Sequence, residues 1–180
     1  MKRVTVHEYF RGPETLRPME LVYGVVREPP APRYGHQSIV TRLTALLDGH
    51  ARGRGLGKVC VSPIDVVLDE AAALVVQPDI LFVASHRTGI IRDRIWGPPD
   101  LVIEVLSPAT ALRDRTTKLG WYRSYGVREC WLLDSARGVI DVIGPTVGPD
   151  RRARFSGNEP IHSTVLPDWT FSVNHIQDRE

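Results

Sequence analysis

The sequence predicts an α/β or α+β fold, a β-sheet with helices packed on it. Three observations carry that prediction. Ile39, Leu43, Leu46 and Leu47 recur at three- and four-residue spacings, which places them on one face of a helix over residues 34–52. Residues 75–84 and 100–106 are nearly continuous apolar runs, as expected of strands buried on both faces. Finally, the segments run helix, strands, helix, strands, and the sheet can bury its apolar faces only against the helices.

Taken in order, residues 5–10 open a short helix that Gly12-Pro13 stops. Met19 to Val26 forms a hairpin of two short strands around Tyr23-Gly24, ended by Pro29, Pro30 and Pro32. The long helix follows and is terminated by Gly53, Gly55 and Gly57. Strands are predicted over 58–68, 75–84 and 100–106. A second helix spans about 110–125 and ends at Gly126, a residue suited to the left-handed conformation after a helix. Residues 129–134 and 139–143 pair as a hairpin across Ser135-Ala136-Arg137-Gly138. The tail, with Pro145, Pro149, Pro160 and Pro167, reads as irregular structure with room for one more hairpin.

At 180 residues the chain reads as one domain, 1–180, large enough to bury a core without disulfides or a structural metal. Hydrophobic content of 42% and charged content of 24% are ordinary globular values. No run approaches the roughly 18–20 apolar residues of a membrane span. The charged start lacks the apolar core of a signal peptide, so the N-terminus reads as mature protein in a cytoplasmic compartment. Cys60 and Cys130 sit in apolar strands and read as small buried hydrophobes, since neither has a partner at metal-ligand spacing. A net charge of +2 does not by itself announce nucleic acid; of the 23 basic residues only Lys2, Lys58 and Lys118 are lysines.

The informative feature is where the carboxylates fall. Asp79 starts the apolar strand of Gln77-Pro78-Asp79-Ile80-Leu81-Phe82-Val83, and Glu104 lies inside Leu101-Val102-Ile103-Glu104-Val105-Leu106. A carboxylate buried in a sheet must pair, bind a metal or take a proton. Two on neighbouring strands can share a divalent cation, which removes their repulsion; otherwise each lies at a strand end in water or pairs with an arginine. Asp114 and Lys118 are spaced i,i+4 on the following helix. They are either a surface ion pair worth about 0.3–0.5 kcal/mol or a device that brings the Lys118 ammonium back beside a metal. There it would orient or deprotonate a water, or stabilise developing phosphoryl charge.

Glu20 is a candidate third carboxylate, and His36 a phosphate contact, a water holder or a helix cap. Asp65 and Asp69 are expected to flank an exposed strand, and Asp100 to mark a strand edge. Trp121, Tyr122, Tyr125 and Trp131 read as core before they read as base-stacking groups. Arg87, Arg92, Arg94, Arg113, Arg115 and Arg123 form either a phosphate-binding rim or a solvated face. The sequence carries no P-loop, dinucleotide-binding glycine pattern, zinc-ligand pair or Gly-x-Ser-x-Gly elbow.

These pieces resemble the Uma2 family within the PD-(D/E)xK nuclease superfamily. The resemblance runs through Met19-Glu20-Leu21-Val22-Tyr23-Gly24, His36, Gln77-Pro78-Asp79 and the stretch from Gly97-Pro98-Pro99-Asp100 to Glu104-Val105-Leu106-Ser107-Pro108. It continues through Arg113-Asp114-Arg115-x-x-Lys118, Tyr122 and Gly126-Val127-x-Glu129-Cys130-Trp131-Leu132-Leu133-Asp134. It implies a restriction-endonuclease-like mixed β-sheet core flanked by helices, with Asp79 and Glu104 binding magnesium or manganese. Lys118 would be the catalytic lysine, Glu20 an accessory acid, and His36 and Asp114 supports of the site. The position two residues after Glu104, where the superfamily signature has lysine, is Leu106, so the resemblance places that role on Lys118 of the next helix. Cys130 stands where the family usually has tyrosine. The implied function is a metal-dependent endonuclease acting on DNA as a homodimer. The alternatives are a catalytically silent or regulatory binding module with the same fold, and a metal-dependent hydrolase of another phosphorylated substrate.

Overall fold

The computed structural model describes residues 3–13, 17–144 and 152–176; Met1, Lys2, Pro145 and Pro149 lie outside them. Helices α1 (Val6–Phe10) and α2 (Tyr34–Gly53) and strands β1 (Glu20–Val22) and β2 (Val25–Arg27) form where periodicity and turn chemistry predict. Thr5 caps α1, its hydroxyl accepting from the Glu8 amide while the Glu8 carboxylate reaches back to the Thr5 amide. Tyr23 and Gly24 both take positive φ, 50° and 82°, the tight turn a two-residue hairpin requires.

Two mixed sheets follow. The first orders its strands β2-β1-β5-β4-β7, with β4 (Val66–Asp69), β5 (Leu74–Val76) and a two-residue β7 (Ile95–Trp96) parallel to β4. The second runs β11-β10-β9-β8-β6-β3, from β3 (Gly57–Val61), β6 (Ile80–Ala84), β8 (Leu101–Val105), β9 (Glu129–Asp134), β10 (Val139–Ile143) and β11 (Arg152–Ser156). Its one parallel pair is β8 with β9.

Residues 58–68 and 75–84 are therefore not single strands. Each run crosses from one sheet to the other, at Ser62-Pro63 and at Gln77-Pro78. Proline has no N–H for a ladder, so each strand stops there although its apolar character continues. The expected exposed strand between Asp65 and Asp69 is buried from Val66 to Leu68.

Alternation along the second sheet divides the core. Ile80, Phe82, Leu101, Ile103, Val105, Trp131 and Leu133 face α2 and the C-terminal segment. Leu81, Val83, Val102, Cys130 and Leu132 face the first sheet and Tyr122. The tail, expected to be irregular, belongs to this core: Ile161, Leu166, Trp169, Val173 and Ile176 are buried, the last two on α5 (Val173–Ile176). Buried Glu129 anchors it, accepting at 2.7 Å from Trp131 Nε1, Ser163 Oγ and the amide and hydroxyl of Thr164. Cys130 is buried and Cys60 half-buried, both as free thiols.

The second helix is composite. A turn of α-helix, α3 (Ala111–Arg113), leads into a π-helical turn, Asp114–Lys118, and then α4 (Leu119–Ser124). Gly126 follows with φ 90°, as its position after the helix predicts.

Asp100 is fully buried rather than at an edge. Its carboxylate accepts from the Ala84 amide at 2.8 Å, Arg87 at 3.1 Å and Arg128 at 3.2 Å. Burial would raise its pKa, but these partners hold it below the ordinary 3.8. Its contribution to stability is therefore present above that value and fades as pH falls through the lowered one. Asp100→Ala should cost about 3 kcal/mol near neutrality, read by urea denaturation, and the deficit should shrink in acid. Equal stability of variant and wild type at neutral pH would refute this.

Candidate active site

Register brings the two sheet carboxylates together. Ile80 of β6 pairs with Ile103 of β8, so Asp79, one residue earlier, is level with Glu104, one residue later. Asp79 sits where the chain leaves Gln77-Pro78. Its Oδ2 accepts the Val105 amide at 2.7 Å and meets His36 Nε2 at 3.2 Å. His36 thus does not cap α2, whose N-cap is Arg33; it reaches across to the sheet, and its buried Nδ1 has no hydrogen-bond partner. Burial would lower the His36 pKa, but the bond and charge of Asp79 reverse this and favour the imidazolium.

Glu104 is buried in mid-strand on the face opposite Val105. Lys118 Nζ lies 2.6 Å from its Oε1, and Tyr122 donates its hydroxyl to the same oxygen at 2.5 Å. The ammonium also lies 3.3 Å from Glu20 Oε1 and donates to the Gln77 carbonyl at 3.5 Å. Glu20, buried at the start of β1, accepts in turn from Arg113 Nη2 at 2.5 Å and from the Gln77 amide at 3.3 Å.

The π turn turns both Asp114 and Lys118 inward, although an ordinary exposed helix face would keep such residues in water. Such turns inside α-helices recur at functional sites.

The electrostatics follow from this crowding. Burial pushes Glu104 up to about 8; Asp79 and Asp114 add to the rise and Lys118 opposes it. Burial alone would depress Lys118, but Glu104, Glu20 and Asp114 outweigh it and hold the ammonium firmly protonated. Glu20 is drawn below its ordinary value by Lys118 and Arg113 despite burial. Asp114 is raised, chiefly by burial. The site is a buried, acid-rich cluster around one fixed ammonium.

All six expected residues, Asp79, Glu104, Lys118, Glu20, His36 and Asp114, are joined by direct bonds or by their charges. Tyr122 is core, as its reading predicts, and it also donates to Glu104; the i,i+4,i+8 spacing of Asp114, Lys118 and Tyr122 held the signal for that second contact. Arg113 binds Glu20 rather than lining an open rim. Arg87 is drawn to Asp100, Arg94 to Asp65 and Asp93, and Arg115 to Asp134 and Asp141.

Among the described residues, no group of three or more His, Cys, Asp or Glu side chains is arranged to hold a metal ion. Nor is any helix among them long and apolar enough to cross a membrane.

A family model described as "Putative restriction endonuclease", Uma2, matches residues 6–174. The chain belongs to the Uma2 family. A solved structure with the same fold is that of "a putative nuclease belonging to DUF820 from Anabaena variabilis ATCC 29413". It is 17% identical, with a TM-score of 0.80 over 96% of this chain and 97% of the other. No curated protein matches the chain. In this Uma2 protein the mixed restriction-endonuclease-like fold predicted from sequence is present, with the acids of β1 and β8 and the lysine of the π turn converging.

Above about pH 8, where Glu104 is ionised, Lys118 neutralises two buried carboxylates, so Lys118→Met should there destabilise the fold by about 3–5 kcal/mol. Glu104→Gln combined with Lys118→Met should recover part of that loss, because one of the stranded charges is then gone. Urea denaturation of the double-mutant set measures this; strictly additive effects would mean that the two groups are not coupled.

Proposed function

We propose that the chain is a divalent-metal-dependent endonuclease that hydrolyses DNA phosphodiester bonds, using magnesium or manganese. The observation that carries this reading is the fixed Lys118 ammonium, 2.6 Å from a strand carboxylate that is level with Asp79.

Asp79 and Glu104 would hold the ion. Both offer the hard oxygen donors such cations prefer, and magnesium is commonly held by one or two carboxylates with water completing its shell. Lys118 and Tyr122 both engage Oε1 of Glu104, and the Val105 amide and His36 both engage Oδ2 of Asp79. The mutual repulsion that helps raise Glu104 is what a cation between them would relieve. When bound, the ion would polarise the scissile phosphate and lower the pKa of a water.

Lys118, held protonated, does not serve as a base; it stabilises negative charge developing on the phosphate and orients the water. Glu20 and Arg113 set the position of that ammonium, Tyr122 fixes the Glu104 rotamer, and His36 fixes Asp79. Pairing of two copies would present one such site to each strand of a duplex.

One observation favours a binding module instead: Glu104 Oε1 is already bonded by both Lys118 and Tyr122.

Cleavage of supercoiled and linear DNA with magnesium or manganese decides between them. Wild type should cut, and Glu104→Gln and Lys118→Met should each cut at least about 100-fold more slowly. Metal binding without any cutting by wild type would favour the module. Because Glu104 must be ionised to hold a cation and burial pushes it up to about 8 in the metal-free site, apparent magnesium affinity should strengthen as pH rises towards that value. Magnesium affinity, read by titration, that does not change between about pH 6 and about 8 would argue against Glu104 as a metal ligand.

A further inference from the structure

A second cluster lies level with Glu104 on the same face of the second sheet. Glu104 pairs with Leu132, Leu132 with Asp141, and Asp141 with Arg154. Their neighbours Val105, Leu133, Ile140 and Phe155 all face the opposite core, so these four side chains form one transverse row. Asp141 is two strands from Glu104, roughly 10 Å away at about 4.8 Å per strand.

Asp141 is fully buried, and three guanidiniums converge on it. Arg154 takes both oxygens, Nε at 2.7 Å from Oδ1 and Nη2 at 3.1 Å from Oδ2. Arg115 Nη1 lies 3.3 Å and Arg152 Nη2 3.4 Å from Oδ2. Arg115 also binds Asp134 at 2.7 Å, and Arg137 lies 3.7 Å from that carboxylate. Four arginines thus surround two acids, with two positive charges in excess. A single cation would neutralise buried Asp141. The surplus lies on the partly exposed outer strand and exceeds what neutralising one buried carboxylate requires. Arg152 and Arg154 remain about half exposed, at 44% and 54%, so their other N–H groups face outward. The same π turn serves both places: Lys118 binds Glu104 while Arg115, three residues earlier, binds Asp141.

We propose that Arg152 and Arg154, braced with Arg115 by Asp141, form a phosphate-binding ridge for the nucleic-acid backbone beside the Glu104 site. The inference rests on the nuclease reading and adds where the substrate backbone is gripped: at the outer strand β11, three strand spacings or roughly 14 Å from Glu104, about four duplex steps at 3.4 Å each. Guanidinium forks suit phosphate oxygens, and Asp141 holds them pre-oriented, so little side-chain freedom is lost on binding.

The test is binding of a labelled duplex oligonucleotide by the whole chain in chelator, where metal-dependent cleavage is stopped, over a range of sodium chloride concentrations. Arg152→Ala/Arg154→Ala should flatten the slope of log K against log salt by about 1.8, near 0.9 per lost phosphate contact. Arg152→Lys/Arg154→Lys should retain most of the slope, and Arg52→Ala, on the exposed side of α2, should leave it unchanged. Circular dichroism and thermal melting confirm that each variant is folded. An unchanged slope in the double alanine variant would overturn the ridge, as would an equal loss in Arg52→Ala or salt-insensitive binding by wild type. Cleavage with magnesium separates the two ideas. Cutting with an unchanged slope rejects the ridge alone, and a flattened slope without cutting rejects the nuclease reading alone.

Discussion

Lys118 Nζ is the point on which the rest of the molecule closes. An ammonium removed from water is tolerable only where opposite charges surround it, and here they come from separate elements: Glu104 from the middle of the second sheet, Glu20 from the first. The backbone carbonyl of Gln77, on the crossing between the sheets, is the third partner. The helix, the two sheets and their connection are thereby held to one geometry. Arg113 completes the arrangement by taking the Glu20 oxygen that Lys118 leaves, and Tyr122 shares Glu104 Oε1 with the ammonium.

The π turn makes this possible. It carries Asp114, Arg115 and Lys118 in one short stretch, with Asp114 and Lys118 buried and Arg115 reaching sideways to Asp141. The helix is thereby pinned over the sheet at two carboxylates two strands apart, and not merely laid on it by apolar contact. Leu132 lies between those carboxylates in the row and fills the space beneath the turn.

Much of this was legible beforehand. Asp79 and Glu104 stood out because carboxylates interrupt apolar runs, and that anomaly is a property of sequence alone. Lys118 stood out for its spacing from Asp114 and for being a lysine in a chain rich in arginine. What sequence concealed was partnership. Residues 58–68 and 75–84 look like single strands because both sheets demand the same apolar residues, and only the prolines at 63 and 78 mark the breaks. Asp100 reads as a strand edge, and Glu129 and Asp141 carry no signal of their own within a predicted hairpin. Each is buried because partners distant in sequence arrive: Arg87 and Arg128, Ser163 and Thr164, Arg152 and Arg154. The π turn left no periodicity signal, since one extra residue in a helical turn falls within the scatter of an apolar pattern.

The two crossings between the sheets have a mechanical consequence. The chain passes from β3 to β4 and from β5 to β6 through only a few residues each, and the two crossings lie side by side, the Ser62 amide donating to the Asp79 carbonyl at 3.0 Å. Any movement of one sheet against the other at that seam would therefore shift the Asp79 backbone, and with it the carboxylate that the Val105 amide and His36 hold.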